Sequence, residues 1–315
     1  MRGWVLVFWV VALGALAPAI AQEASGPFRV EALADGILLF RPASTNSAHT
    51  NSLVIEGEDS LLVVDAQPSP AAARELLQAI KKASSKPIRY LVFSHPHADA
   101  MGGASAFPPS TLRISSHKCY DTLTDPSYEL GAEARERFSP PDEWEEPERV
   151  LPDLVISARA AIPGKKNTII LQPVPHAHTP GDLLVHLPEA GVVAVGHLVS
   201  GDRNPYGRDA VLGGWMNTLN SVLQMSPTKI VPLRGPVMDH RELRGYRDSF
   251  AWLRGKIELA FVDLVPEEKV ADWIRGQPDF SDHFDPEANP DFLPYLIDHG
   301  VEEQLVHRKK RRSGN

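Results

Sequence analysis

His95-Pro96-His97-Ala98-Asp99 sets two imidazoles two residues apart, with a carboxylate two further on. In extended or loop backbone, side chains at i and i+2 point the same way, so both rings can reach one cation. The segment follows an apolar stretch, Tyr90 to Phe93, that reads as a buried strand delivering the chain to Ser94 and His95. Gly102-Gly103 comes next and lets the backbone fold tightly round whatever is bound. The chain has 12 histidines and a single cysteine, Cys119. No intramolecular disulfide can form, and a zinc site built on several thiolates is excluded. A metal must therefore take imidazole and carboxylate ligands.

The elements that would position these groups can be read around them. Strands are expected at Gly36–Phe40, Ser52–Glu56, Leu61–Val64 and Tyr90–Phe93, and a helix at Ala71–Ala83 with Leu76, Leu77 and Ile80 on one face. Pro140–Pro152 is acidic and proline-rich and reads as a surface loop. Strands resume at Thr168–Leu171, Leu183–Leu187, Val192–Val195 and Lys229–Pro232, with helices at Trp215–Met225 and through Leu243, Phe250 and Ile257. The same order occurs twice, which predicts two similar β-rich halves facing each other with helices outside: a four-layer α/β sandwich.

The remaining chain bounds the setting. Arg2, an uncharged apolar run from Trp4 to Ala17, and Ala19-Ile20-Ala21 form the pattern of a signal peptide, residues 1–21. The expectation is an exported protein, periplasmic or secreted, with no stable membrane span after cleavage. The main domain is placed at 28–262, a helical extension packed on it at 263–307, and a basic tail at 308–315. The chain carries 32 Lys+Arg against 40 Asp+Glu, a formal charge of -8, which argues against nucleic acid as a partner.

Ser94-His-Pro-His-Ala-Asp-Ala-Met-Gly-Gly103 resembles the metal-binding signature of the metallo-β-lactamase superfamily, H-x-H-x-D-H with glycines after it. Further landmarks fall in that family's order. Asp65 resembles its first acidic motif, and His178-Thr179-Pro180-Gly181-Asp182 its third metal-ligand loop. Gly196-His197 stands where the family has Gly-Asp, and Pro232-Leu233-Arg234-Gly235-Pro236 where it has Pro-Gly-His-Gly-Pro. The resemblance implies an αββα sandwich with metal at the sheet edge.

The departures shape the expected chemistry. The family's three-histidine site is intact as His95, His97 and His178. Of the second site only Asp99 survives: Ala100, His197 and Arg234 replace a histidine, a bridging aspartate and a histidine. Alanine has no ligating atom, and arginine stays protonated without a lone pair. The resemblance thus implies one zinc ion per chain with an open position for water, the arrangement of a catalytic site. Asp99 is the group expected to orient that water or shuttle its proton. His197 is a candidate fourth ligand, which would close the site. Arg234 either grips an anionic small-molecule substrate or pairs with Asp99. His176, two residues before His178, is the alternative third ligand. The function implied is a zinc-dependent hydrolase acting on an ester, thioester, lactone, β-lactam or phosphoester; the alternative is a catalytically inactive binding protein of the same fold.

Overall fold

Leu53 and Ile55 alternate with Val54 along one strand, and Leu62 and Val64 with Leu61 and Val63 along the next; all seven are buried. Strands apolar on both faces must be covered on both faces. The computed structural model describes residues 26–44, 49–138, 144–164, 166–201, 206–285 and 293–313. The expected signal peptide at 1–21 lies outside them.

The first sheet runs in chain order through β1 (Phe28–Ala34), β2 (Ile37–Pro42), β3 (Ser52–Glu56), β4 (Leu61–Val64), β5 (Ile88–Val92), β6 (Leu112–Ser116) and β7 (Leu154–Ile156). It is antiparallel as far as β4 and parallel from β4 to β7. The second sheet runs through β8 (Ala160–Pro163), β9 (Thr168–Pro173), β10 (Leu183–Leu187), β11 (Val192–Gly196) and β12 (Lys229–Pro232), with β11 and β12 parallel. Ile37, Leu39, Leu53, Ile55 and Leu62 of the first sheet meet Leu171, Leu183, Val185 and Val192 of the second in one core.

Each outer face has its own helices. α1 (Pro70–Ala83), α2 (Ala98–Met101), α3 (His117–Thr124) and α4 (Leu130–Phe138) lie on the side of the first sheet. The hydroxyl of Ser69 caps α1 by accepting from Ala72 N, Pro70 opens it, and Ala73, Leu76 and Ile80 form its buried face. α5 (Leu212–Gln224), α6 (His240–Val262), α7 (Val270–Arg275), α8 (Phe280–His283) and α9 (Leu293–Ser313) build a third core against the second sheet, with Trp215, Leu243, Phe250, Leu253 and Ile257 at its centre. Three cores between four layers are the αββα sandwich expected from the sequence.

Residues past 262 form α7 to α9, and α9 packs on α5, α6 and α7. The basic stretch expected as a tail continues α9 as far as Ser313. Glu302 to Arg312 contains neither glycine nor proline and is mostly helix formers, so nothing local ends the helix sooner.

Candidate metal centre

The candidate residues collect at one edge of the sandwich. Asp65 follows β4, His95 follows β5, His197 follows β11, and Arg234 follows β12. His178 precedes β10, whose start lies at the same edge because β10 is antiparallel to β11. The two halves are joined there: Leu183 N–H donates to Ser94 O (2.8 Å) and Asn51 N–H to Leu233 O (2.8 Å).

The loop carrying His95 and His97 is laced to the turn after β4. Ser94 N–H donates to Asp65 Oδ1 (2.8 Å), Ala66 N–H to Ala100 O (2.6 Å), and Gly103 N–H to Gln67 O (2.8 Å). Asp65 and Gln67 both hold positive φ, +67° and +77°. Such strain persists when the surroundings over-determine it. Here Gln67 Nε2 donates to Thr50 O and to Ser52 Oγ, both at 2.8 Å. On the far side, Glu133 accepts from Ala98 N–H (2.7 Å) and Tyr128 Oη–H donates to Pro96 O (2.8 Å). The His178 loop is held by Asp182, which accepts from Thr179 N–H (3.0 Å) and Thr179 Oγ1–H (2.6 Å). Gly196, at φ +56°, aims His197; a Cβ there would stand 2.7 Å from Ser94 Oγ.

His95, His97 and His178 converge, and all three are buried. His97 Nδ1 lies 3.1 Å from His178 Nε2. Each ring turns its other nitrogen outward to an acceptor: His97 Nε2–H donates to Asp209 Oδ2 (2.7 Å), and His178 Nδ1–H donates to Tyr206 O (3.0 Å). In the neutral tautomers that these acceptors select, both inward nitrogens present lone pairs. Two lone pairs at 3.1 Å repel unless a metal ion or a shared proton lies between them, and the separation is close to the edge, about 3.3 Å, of a tetrahedron with zinc–nitrogen bonds of about 2.0 Å. His95 Nε2 is buried and, among the described residues, meets only Asp99 Oδ1 (3.1 Å) without a well-aligned hydrogen bond, while its Nδ1 faces Ser94 Oγ (3.0 Å). Burial pushes the His95 imidazole below its ordinary pKa, against the pull of Asp99. It is therefore neutral and ready to ligate at physiological pH.

Asp99 and His197 form a second group around the same histidine. Asp99 Oδ1 is 3.1 Å from His95 Nε2, and His197 Nδ1 is 3.0 Å from Asp99 Oδ2. His95, Asp99 and His197 are a possible ligand set in their own right. A ring nitrogen has one lone pair. With its Nδ1 on Ser94, His95 serves one of these two sets at a time. Ala100 is wholly buried and offers nothing to a cation. His176 stands outside both sets, its Nε2 2.6 Å from Asp209 O. Arg234 is half-buried just past β12, beside the strand end that carries His197, since Leu233 N–H donates to Gly196 O (2.8 Å).

Beside His97 opens a cavity of about 800 Å³. Pro96 and His97 form one wall and His299 and Val306 of α9 another, with Arg208 and Lys310 also at its lining. Arg234 is not among its lining residues; among the described residues the arginine there is Arg208, which sequence reasoning passed over. Sequence reasoning also missed Asp209 and the Tyr206 carbonyl. Burial pushes the Asp209 carboxyl upward, but the hydrogen bond from His97, with Arg208 close by, holds it below its ordinary value. Carboxylate and carbonyl partners of this kind fix the tautomer and orientation of metal-ligating histidines. Trp215, buried with Nε1–H on Leu198 O (2.9 Å), backs the His178 ring at 5.3 Å between centroids.

Comparisons with known proteins give the family and the fold. The sequence profile of the metallo-β-lactamase superfamily matches residues 47–251. The chain belongs to this superfamily. The metallo-β-lactamase type 2 of Bacillus cereus is 25% identical over 207 residues, spanning 62% of this chain and 71% of the relative. Among solved structures, a metallo-β-lactamase from Pontibacter korlensis superposes with a TM-score of 0.57 at 18% identity, covering 69% of this chain and 95% of its own. FIM-1 from Pseudomonas aeruginosa, a metallo-β-lactamase in its mono-zinc form, gives 0.54 at 22%, covering 71% and 95%. The inverting sec-alkylsulfatase Pisa1 from Pseudomonas sp. gives 0.69 at 14%, covering 88% of this chain and 50% of its own. That 88% exceeds what residues 1–251 contain, so the likeness of fold continues past the matched profile. Metallo-β-lactamase superfamily members are hydrolases that bind metal ions, usually zinc.

Asp65 yields a first prediction. Burial raises its carboxyl pKa from 3.8 to about 8, against the hydrogen bonds from Ser94. The folded value lies above the unfolded one, so between pH 4 and 8 the native state binds more protons. Stability must fall as pH rises through that window. The ceiling is on the order of 5 kcal/mol. Asp65→Asn keeps an acceptor for Ser94 N–H and cannot titrate. In metal-free protein the melting temperature of the variant is expected to fall less between pH 4 and 8 than that of wild type. Parallel curves would mean that Asp65 is ionised throughout.

Proposed function

We propose that this chain is an exported hydrolase that works with one zinc ion held by His95, His97 and His178, on a small substrate bearing an ester-like or phosphoester bond and a negative charge. The observation that supports it most is the facing pair of inward nitrogens, His97 Nδ1 and His178 Nε2, with both outward nitrogens already bonded to acceptors. Zinc on three imidazoles supplies a bound water of pKa about 7 and Lewis acidity toward the scissile carbonyl or phosphoryl oxygen. The chain's own groups do the rest. Asp99 sits next to His95 with Oδ2 on His197 Nδ1, placed to accept a proton and share it with that ring. Asp209 keeps the His97 ring in its ligating tautomer. The cavity beside His97 admits the substrate, and Arg208 at its lining and Arg234 at the strand edge are the candidate anchors for its anion.

The test is elemental analysis of purified mature protein, followed by hydrolysis assays on nitrocefin, a thioester, a lactone, a phosphoester and a sulfate ester. About one zinc per chain and turnover of at least one of these are expected. One zinc without any turnover would favour a binding protein. For an active substrate, neutral and anionic analogues separate the anchors. Losing a charge-assisted contact worth about 1.5–3 kcal/mol costs about 10- to 150-fold in kcat/KM. That loss is expected in Arg234→Ala or Arg208→Ala for the anionic analogue alone.

A further inference from the structure

We infer that Glu303, on the C-terminal helix, is a positioning residue for the metal centre, acting through the start of α5; the inference rests on the three-histidine reading above. α5 begins without help from its own sequence, because its N-cap residue is Val211, which makes no side-chain cap. A helix start leaves amide donors that need partners. The partner comes from more than ninety residues along the chain. Glu303 accepts from Leu212 N–H through Oε1 (2.6 Å) and from Gly213 N–H through Oε2 (3.0 Å). One carboxylate thus satisfies two amides at the positive end of the helix dipole.

What lies beside that helix start makes the contact more than a cap. Val211 N–H donates to Ala177 O (2.8 Å), the carbonyl next to His178. Gly214 runs so close to the His176 carbonyl that its carbon would stand 3.0 Å from any Cβ. Upstream, the stretch from Tyr206 to Ala210 supplies both outer partners of the ligands, the Tyr206 carbonyl for His178 and Asp209 for His97. α9 grips this stretch at two further points. His299 Nδ1–H donates to Ala210 O (3.0 Å), and Gly207 packs so tightly on Leu296 that a Cβ there would stand 2.6 Å from the leucine's own. α9 therefore holds residues 206–213 as a unit, and that unit sets the orientation of two of the three imidazoles. Removing Glu303 frees the end of the unit that abuts His178.

The experiment compares wild type, Glu303→Ala and Glu303→Gln for zinc affinity by competition with a chromophoric chelator, and for amide hydrogen exchange of residues 206–213 in metal-free protein. Partners of metal ligands are worth about 10- to 100-fold in affinity. Acting one step further out, Glu303→Ala is expected to weaken zinc binding about 10-fold and to speed exchange across 206–213, with the rest of the chain unchanged. Glu303→Gln retains one acceptor and is expected to recover part of both effects; it also decides the matter should the alanine variant fail to fold. Zinc affinity and exchange equal to wild type in Glu303→Ala, or in Glu303→Gln should the alanine variant fail to fold, would overturn the inference, as would a lowered melting temperature with unchanged affinity. Wild-type protein that takes up no zinc would sink the three-histidine reading itself, an outcome separate from a wild type that binds and variants that bind equally.

Discussion

Alanine in place of His178 is expected to reduce zinc uptake from about one equivalent to none under dialysis, and hydrolysis with it. His178 is fully buried, its Nε2 faces His97 Nδ1 at 3.1 Å, and its Nδ1 is committed to Tyr206 O. Removing it leaves two imidazoles for that ion. Structural zinc sites release about 10–16 kcal/mol, roughly 3 kcal/mol per ligand, so affinity should fall on the order of 100-fold or more. Both possible ligand sets draw on His95. The same sharing limits wild type to one ion. Two equivalents surviving dialysis of wild type would contradict this arrangement. Arg234→Ala serves as the control: it has no lone pair to lose and should keep its zinc.

Valine at Gly103 is expected to cost the fold at least about 3 kcal/mol, beyond the usual range of about 1–3 kcal/mol for an overpacked core. A Cβ at Gly103 would stand 2.5 Å from Ala73 Cβ and 2.8 Å from Ser69 O, and it would also press on Ala66 O. None of these can swing aside. Ala73 is on the buried face of α1, and the other two are backbone carbonyls in the turn that braces the metal loop. Gly103 cannot retreat, since its N–H is held by Gln67 O. Gly245→Ala offers a contrast on α6. It is exposed, nothing lies within 4 Å of its would-be Cβ, and alanine there should stabilise by about 0.5–1 kcal/mol. Urea unfolding of both variants in metal-free protein measures the pair. Comparable stabilities would mean that the turn after β4 yields more readily than its hydrogen bonds imply.

The sandwich was legible because its signals are short-range. Apolar runs such as Leu61–Val64 and Leu183–Leu187 mark buried strands, and those two match β4 and β10 end to end. The helix expected at Ala71–Ala83 gains only Pro70. β1, β6, β7 and β8 went unread: β7 and β8 are short and half-exposed, and β1 and β6 mix apolar with charged and small polar residues, so none of the four stands out as an apolar run. α4 was missed for a related reason, since its face is set by packing at long sequence distance. The candidate ligands were legible because His95, His97 and Asp99 share one short segment and His178 and His197 sit at strand edges. Asp209, the Tyr206 carbonyl and Glu303 were not. A carboxylate in a loop looks like any surface acid, and a backbone carbonyl has no sequence signature at all. Such groups acquire their role only when a helix ninety residues further on closes over them.

Each sheet is woven from one unbroken stretch of chain, the first from Phe28 to Ile156 and the second from Ala160 to Pro232. His95 and His97 belong to the first stretch and His178 to the second. An ion on all three is a ligand of the docked pair and of neither half alone. By linkage, free ion at about 100 times its dissociation constant adds about 2.7 kcal/mol to the docked state. A chelator withdraws that amount without touching a side chain. Metal-depleted protein should therefore part first along the seam between the sheets, where the core of Leu53, Leu62, Leu183 and Val185 would meet water.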